Sequence, residues 1–226
     1  MPLISLRGIK KTHLLGEVKV QALAGVDLDI ERGEFTLLMG PSGSGKTTLL
    51  SILGCLDSAT SGTYELEGQR VGSGDHNRWA GLRAAQVGFV FQSFNLVPVL
   101  TAKENVELPM LWRPKRLSAK ACDERARKLL DTVGIGDLAD RRPTQLSGGQ
   151  QQRVAIARSL ANEPKVLLAD EPTANLDSEA AELILQLLKQ LNEQNGVSLI
   201  IATHDPKLLT YGKRVVRVHD GLTSEA

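Results

Sequence analysis

Eight consecutive residues, Gly40-Pro41-Ser42-Gly43-Ser44-Gly45-Lys46-Thr47, match the spacing G-x-x-x-x-G-K-[ST]. A turn of this kind aims successive backbone N–H groups at the phosphate oxygens of a nucleotide. Its glycines let the backbone approach those oxygens where a Cβ would stand in the way. The Lys46 ammonium is placed for the β- and γ-phosphates and the Thr47 hydroxyl for Mg²⁺. Thr48, next in the chain, is assigned to the same nucleotide. Phe35–Met39 reads as a buried strand entering the turn, and Thr47–Leu53 as the helix leaving it. Such a helix directs its positive end at the anion.

The last third of the chain carries further candidates. In Leu146-Ser147-Gly148-Gly149-Gln150, Ser147 caps a helical pattern running from Gln151 to Leu160. The cap, two glycines and a helix N-terminus describe a second anion site, or simply a capped helix. Lys165–Glu171 is an apolar strand ending in two carboxylates. Asp170, beside a phosphate loop, can hold Mg²⁺, and Glu171 can take a proton from an attacking water. An ordinary strand end is the competing reading, and the phosphate loop weighs against it. Val197–Thr203 is a third apolar strand with His204 at its carboxyl end. Ligands of open α/β sheets bind at that edge, which favours a γ-phosphate contact for His204 over a purely structural role.

The elements that must position these groups follow from local signals. Asp177 caps a helix with Leu183, Ile184, Leu187, Leu188 and Leu191 on one face, and Gly196 stops it. Thr101-Ala102-Lys103-Glu104 is a capping box, with Pro109 set to bend or end its helix. Ser118 caps another helix, through Ala126, Leu129, Leu130 and Val133 to Gly134. Val87–Phe91 is a buried strand followed by Gln92 and the apolar stretch Phe94–Leu100. Leu3–Arg7, Val26–Ile30 and Thr63–Gln69 alternate as strands, with Lys11–Glu17 a polar connection and Gly72–Asn77 a surface loop. Arg113-Pro114-Lys115-Arg116 is basic, either a solvated connection or a contact with lipid headgroups.

With 27 basic against 26 acidic residues among 226, the net charge is +1, and no overall field favours nucleic acid. Two cysteines, Cys55 and Cys122, form neither a disulfide framework nor a metal spacing. The N-terminus lacks the apolar run of a secretory signal, and no stretch approaches the ~20 apolar residues of a membrane span. A soluble, reducing, cytoplasmic setting is the expectation.

Gly40–Thr47, Gln92, Leu146–Gln150, Leu167–Glu171, Asp177 and His204 occur in the order found in ATP-binding cassette (ABC) ATPases, and the sequence resembles that family over nearly its whole length. The resemblance implies an α/β fold: a RecA-like P-loop NTPase core with an antiparallel β subdomain and an inserted α-helical subdomain. Residues 1–92 and 161–226 would form the core with its β subdomain, and 93–160 the helical part, in one ABC ATPase domain spanning 1–226. It implies ATP and Mg²⁺ as ligands, sandwiched head to tail between two such domains in a homodimer or a pair of ATPases. Ser147, Gly148, Gly149 and Gln150 would then cap the γ-phosphate held by Lys46 of the partner. Gln92 would sense Mg²⁺ and the transmembrane partner, with Thr47 and Asp170 as the other metal groups. Glu171, His204 and Gln92 would be catalytic, and His13 would occupy the place where the family usually puts an aromatic residue at the adenine.

Leu53–Asp57, Phe91–Leu96 and Thr101–Val106 look like the lipoprotein-release and macrolide-export (LolD/MacB-type) ATPases. That likeness implies a separate-chain membrane permease as partner and a peripheral location on the cytoplasmic face of the inner (plasma) membrane. The alternatives are a cell-division ATPase regulating a membrane partner without moving cargo, and a soluble ABC ATPase of translation or DNA repair. The latter usually has two cassettes or a long coiled-coil insertion, and this chain has neither.

Overall fold

In a computed structural model, which describes residues 1–16, 18–72, 76–113 and 116–225, the chain begins as a long hairpin of β1 (Ile4–Leu15) and β2 (Val18–Ile30). β3 (Phe35–Met39) then enters the glycine-rich loop, and α1 (Lys46–Leu53) leaves it. β4 (Ser61–Leu66), β5 (Gln69–Val71), α2 (His76–Gln86) and β6 (Val87–Val90) follow. Next come α3 (Ala102–Glu107), α4 (Ala119–Thr132) and α5 (Gly148–Ser159), which pack on one another. The chain then alternates through β7 (Val166–Asp170), α6 (Ser178–Asn195) and β8 (Ser198–Thr203). It finishes with β9 (Arg214–His219) and β10 (Leu222–Glu225).

Two sheets result. One is antiparallel, in the order β2-β1-β4-β5; the other runs β10-β9-β3-β8-β7-β6 and is parallel apart from β10. Strands buried on both faces need unbroken apolar runs, and β3, β7 and β8 supply them. Leu37, Leu167 and Ile201 face a core shared with α3–α6, whereas Leu38, Leu168 and Ile200 face α1 and the antiparallel sheet. This is a RecA-like core carrying a β layer and a helical layer. Because the strands are parallel and in register, with Met39 opposite Thr203 and Asp170 opposite Ala202, their carboxyl ends share one edge.

The predicted caps form as local chemistry requires. Thr101 and Glu104 bond reciprocally, Ser118 accepts from Ala121, and Asp177 accepts from Ala180. α3 ends before Pro109, and the chain continues as a 3₁₀ turn, Leu108–Trp112.

Two expectations need correction. Residues 11–15 are not a connection but the end of β1. Its pairing with β2 carries three register shifts, between Leu6 and Ile9, Ile9 and Lys10, and Lys11 and Thr12, which break the period-2 pattern. His76 and Asn77 open α2 rather than a loop. That helix has a weak apolar stripe and is held by Trp79 and Leu82 packing on the core. β9 and β10 lay beyond the signals used. The Ser73–Asp75 part of the predicted loop, the Glu17 end of the predicted connection, and Pro114 and Lys115 of the basic cluster fall outside the described residues.

Candidate active site

The glycine-rich loop connects a buried strand to a helix whose N-cap, Gly45, has φ 106°, a conformation that suits glycine. Lys46 is buried and donates to the carbonyls of Gly40 (2.7 Å) and Pro41 (2.9 Å), curling over the loop it belongs to. The fit is close on the protein side. A Cβ on Gly40 would lie 2.0 Å from the carbonyl oxygen of Val218 on β9, and one on Gly45 would lie 2.6 Å from that of Ala22 on β2. The Asp220-Gly221 turn between β9 and β10 braces the loop, Gly221 N–H donating to Ser44 O (3.1 Å) and Gly221 O accepting from Ala24 (2.8 Å). Asp-Gly between alternating strands is a strong hairpin signal, so sequence alone could have found this brace. Ser44 Oγ is buried with no hydrogen-bond partner among the described residues, and it lies 2.8 Å from where a Gly40 Cβ would be. A loop of N–H groups with a spare hydroxyl and a buried ammonium fits a phosphate chain.

Register places the acids beside the loop. Asp170, the last residue of β7, lies beside the Thr47 hydroxyl in the first turn of α1. Burial pushes the Asp170 carboxyl above its usual range, against that hydroxyl and the nearby Lys46, while Glu171 adds to the rise. The group is therefore poised to gain from a cation. A hydroxyl and one carboxylate are the donor set Mg²⁺ takes when phosphates complete its shell.

Glu171 follows with φ 45°, in the left-handed region unusual for a residue other than glycine. Its N–H donates to Ala202 O at 2.9 Å. Its Oε1 is 2.7 Å from Nδ1 of His204, and its Oε2 accepts from the Thr203 hydroxyl at 3.3 Å. His204 is largely exposed while Glu171 is mostly covered. The carboxylate is thus aimed from the strand ends by two side chains of β8 and its extension. Thr203 escaped the sequence reading because its role depends on which strand lies next to β7.

Gln92 is exposed just past β6, and its carbonyl accepts from Asn175 Nδ2 at 2.9 Å. Asn175 lies in the segment between Glu171 and α6, so the two loops are tied together. Ser147–Gln150 makes a full capping box at the start of α5, with Gln150 Oε1 accepting from Ser147 N–H at 2.9 Å. Gly148 packs beside Leu176, and Gly149 beside Ala180. No hydrogen bond among the described residues joins this turn to residues 40–47. The structure therefore gathers the loop, Asp170, Glu171 and His204 in one place, with the Ser147–Gln150 turn not bonded to the loop. His13 is on β1 opposite Val20, two residues along β2 from the Ala22 that backs Gly45.

A groove of about 600 Å³ runs between α2, β6, the 3₁₀ turn and α5. Phe89, Phe91, Leu56 and Trp112 line it, and Trp112 is 64% exposed. At its floor Arg158 donates to the carbonyls of Phe94 (2.7 Å) and Asn95 (2.5 Å), both at positive φ. Burial lowers the pKa of this guanidinium. Among the described residues no helix is long and apolar enough to cross a membrane.

The ABC transporter family profile matches residues 23–174. A macrolide export ATP-binding/permease protein, MacB, of Syntrophobacter fumaroxidans is 50% identical over 222 residues. That stretch is 98% of this chain but 31% of the relative, so the chain spans under a third of its length. An uncharacterized ABC transporter ATP-binding protein of Thermotoga maritima is 52% identical over 93% of this chain and 89% of its own. Among solved structures, the dimeric post-hydrolysis state of the ATP-binding cassette MJ0796 of Methanocaldococcus jannaschii, bound to ADP and Pi, matches with a TM-score of 0.90. It is 44% identical, covering 98% of this chain and 97% of that one. Profile, relatives and superposition agree with the motif order and the strand-edge site: the chain belongs to the ABC transporter family.

Proposed function

We propose that the chain hydrolyses ATP as one half of an ATP-dependent dimer and drives a membrane permease carried on a separate chain. The observation that carries the chemistry is the juxtaposition of Thr47 and Asp170 with a Glu171 carboxylate held by His204 and Thr203. In this reading residues 40–48 bind the phosphates, Lys46 sets its charge against the β- and γ-groups, and Thr47, Asp170 and Gln92 hold Mg²⁺. Bound Mg²⁺ neutralises charge on the β- and γ-oxygens. Glu171 orients the attacking water and takes its proton. His204 holds the Glu171 carboxylate at Oε1 and reaches the γ-phosphate from its exposed side. Ser147–Gln150, outside the chain's own cluster, caps the γ-phosphate bound by a second copy, and His13 flanks the base. Residues 93–160 act as the helical subdomain on a core made of 1–92 and 161–226.

The groove lined by Phe89, Phe91 and Trp112 supports a permease partner. An exposed apolar groove of this kind marks a protein interface, and its lining residue Phe91 precedes Gln92 in the chain. Docking there sets the cassette peripherally on the cytoplasmic face of the membrane, and lipoprotein release or macrolide export is the type of work its relatives suggest.

Light scattering of Glu171→Gln with and without ATP tests the dimer, and phosphate release from the parent chain tests hydrolysis. The expected results are a monomer that becomes a dimer on adding ATP and a Mg²⁺-dependent ATPase. A Glu171→Gln chain still monomeric at saturating ATP overturns the sandwich. Trp112→Glu should abolish copurification with the permease while sparing ATP binding, and unchanged copurification removes the groove from the reading.

A further inference from the structure

Gln152 lies five residues beyond Ser147 on α5, entirely buried. Its Nε2 donates at 2.7 Å to the carbonyl of Pro172, the residue after Glu171. Its Oε1 is buried without a hydrogen-bond partner among the described residues. An unsatisfied buried acceptor costs stability, and an apolar side chain would suit a site flanked by Val154, Ala155 and Ile156 on the same helix. A merely structural account of Gln152 therefore meets a penalty that the one hydrogen bond must offset.

That hydrogen bond falls at a strained position. Glu171 takes a left-handed φ of 45° and precedes a proline, which restricts its backbone further. Such conformations persist where the surroundings over-determine them. On the strand side Glu171 N–H is fixed to Ala202 O. On the other side Glu171 O accepts from Ala174 N–H at 3.2 Å within the same turn, and Pro172, which has no N–H to offer, is tied to α5 through its carbonyl by Gln152. The helix providing this hold is the one whose first turn is Ser147–Gln150.

We infer that Gln152 is a positioning residue for hydrolysis: its carboxamide fixes the Pro172 carbonyl, and through it the backbone that aims the Glu171 carboxylate, to the helix bearing the second anion turn. The inference rests on the reading of Glu171 as the base. Engagement of a γ-phosphate at Ser147–Gln150 is then conveyed along α5 to Glu171 of the same chain by one buried hydrogen bond.

The test is a double-mutant cycle between Gln152→Met and Glu171→Gln, read as kcat, KM for ATP and Tm. Methionine keeps length and volume but has no N–H to donate. In the parent background kcat should fall between about ten- and a hundredfold, the scale of a small misplacement of a catalytic group. KM should stay within about threefold and Tm should hold. In the Glu171→Gln background the same substitution should change the residual single-turnover rate little, because residues acting as a unit are non-additive. A kcat within twofold of the parent overturns the inference. So does an equal loss in both backgrounds, and so does a loss of kcat that tracks a lowered Tm. If Gln152→Met does not fold, Gln152→Leu takes its place in the same cycle. Near-parent turnover by Glu171→Gln alone would sink the reading of the base itself, a result separable from failure at Gln152.

Discussion

Nδ1 of His204 stands 2.7 Å from Oε1 of Glu171, although the two residues are 33 apart in the chain. The distance follows from register. β7 and β8 are parallel neighbours with Asp170 opposite Ala202, so the residues just past each strand end meet at the edge where the glycine-rich loop also begins. General-base assistance is worth about 10²–10⁴ in rate. Glu171→Gln keeps size and hydrogen-bonding reach, so turnover should collapse by that factor while ATP still binds. His204→Ala should lower kcat less, since Thr203 still holds Oε2. A phosphate-release assay with parallel ATP titrations checks both, and a His204→Ala defect confined to KM would contradict the pairing.

Asp170 and Thr47 lie side by side, whereas Glu171 is turned toward His204, so the two adjacent acids should fail differently. Asp170→Asn should weaken Mg²⁺ affinity, and raising Mg²⁺ should recover part of the activity. Lys46→Ala should lose ATP binding outright, because it removes the charge that the proposed function sets against the β- and γ-phosphates. Titrating Mg²⁺ against rate separates the cases; a Glu171→Gln enzyme rescued by Mg²⁺ would reverse the assignment.

In the proposed function His13, on β1 opposite Val20, flanks the base, where a larger aromatic ring would stack better. Base–aromatic stacking is worth about 1–3 kcal/mol. His13→Tyr should therefore tighten ATP while leaving inorganic triphosphate unchanged. Equal affinities before and after the substitution would remove His13 from the base.

Gly40 has the carbonyl of Val218 where a Cβ would go, and that obstacle is strand backbone, not a flexible side chain. Overpacking of this kind costs about 1–3 kcal/mol. In a chain of this length each kcal/mol moves Tm by roughly 2–4 °C. Thermal unfolding of Gly40→Ala should show that loss, and a parent-like Tm would mean that β9 does not press on the loop. Gly43, with no atom within 4 Å of its Cβ position, should cost less when changed to Ala, the strain there being confined to its positive φ.

Much of this protein is legible from local chemistry. The glycine-rich loop, the Thr101 and Ser147 capping boxes and the Asp177 cap are made by groups within a few residues of one another. Residue type and spacing therefore suffice to place them. The apolar runs of β3, β7 and β8 likewise announce strands buried on both faces. Tertiary structure decided the rest, because it depends on which elements become neighbours. Register shifts in β1 hid a strand inside what reads as a polar connection, and α2 owes its helix to packing more than to pattern. Nothing near Gln152 points to Pro172, and nothing near Asn175 points to Gln92. Those contacts exist because a parallel sheet brings the ends of distant strands to one edge, where a helix start and two loops can reach the same carboxylate.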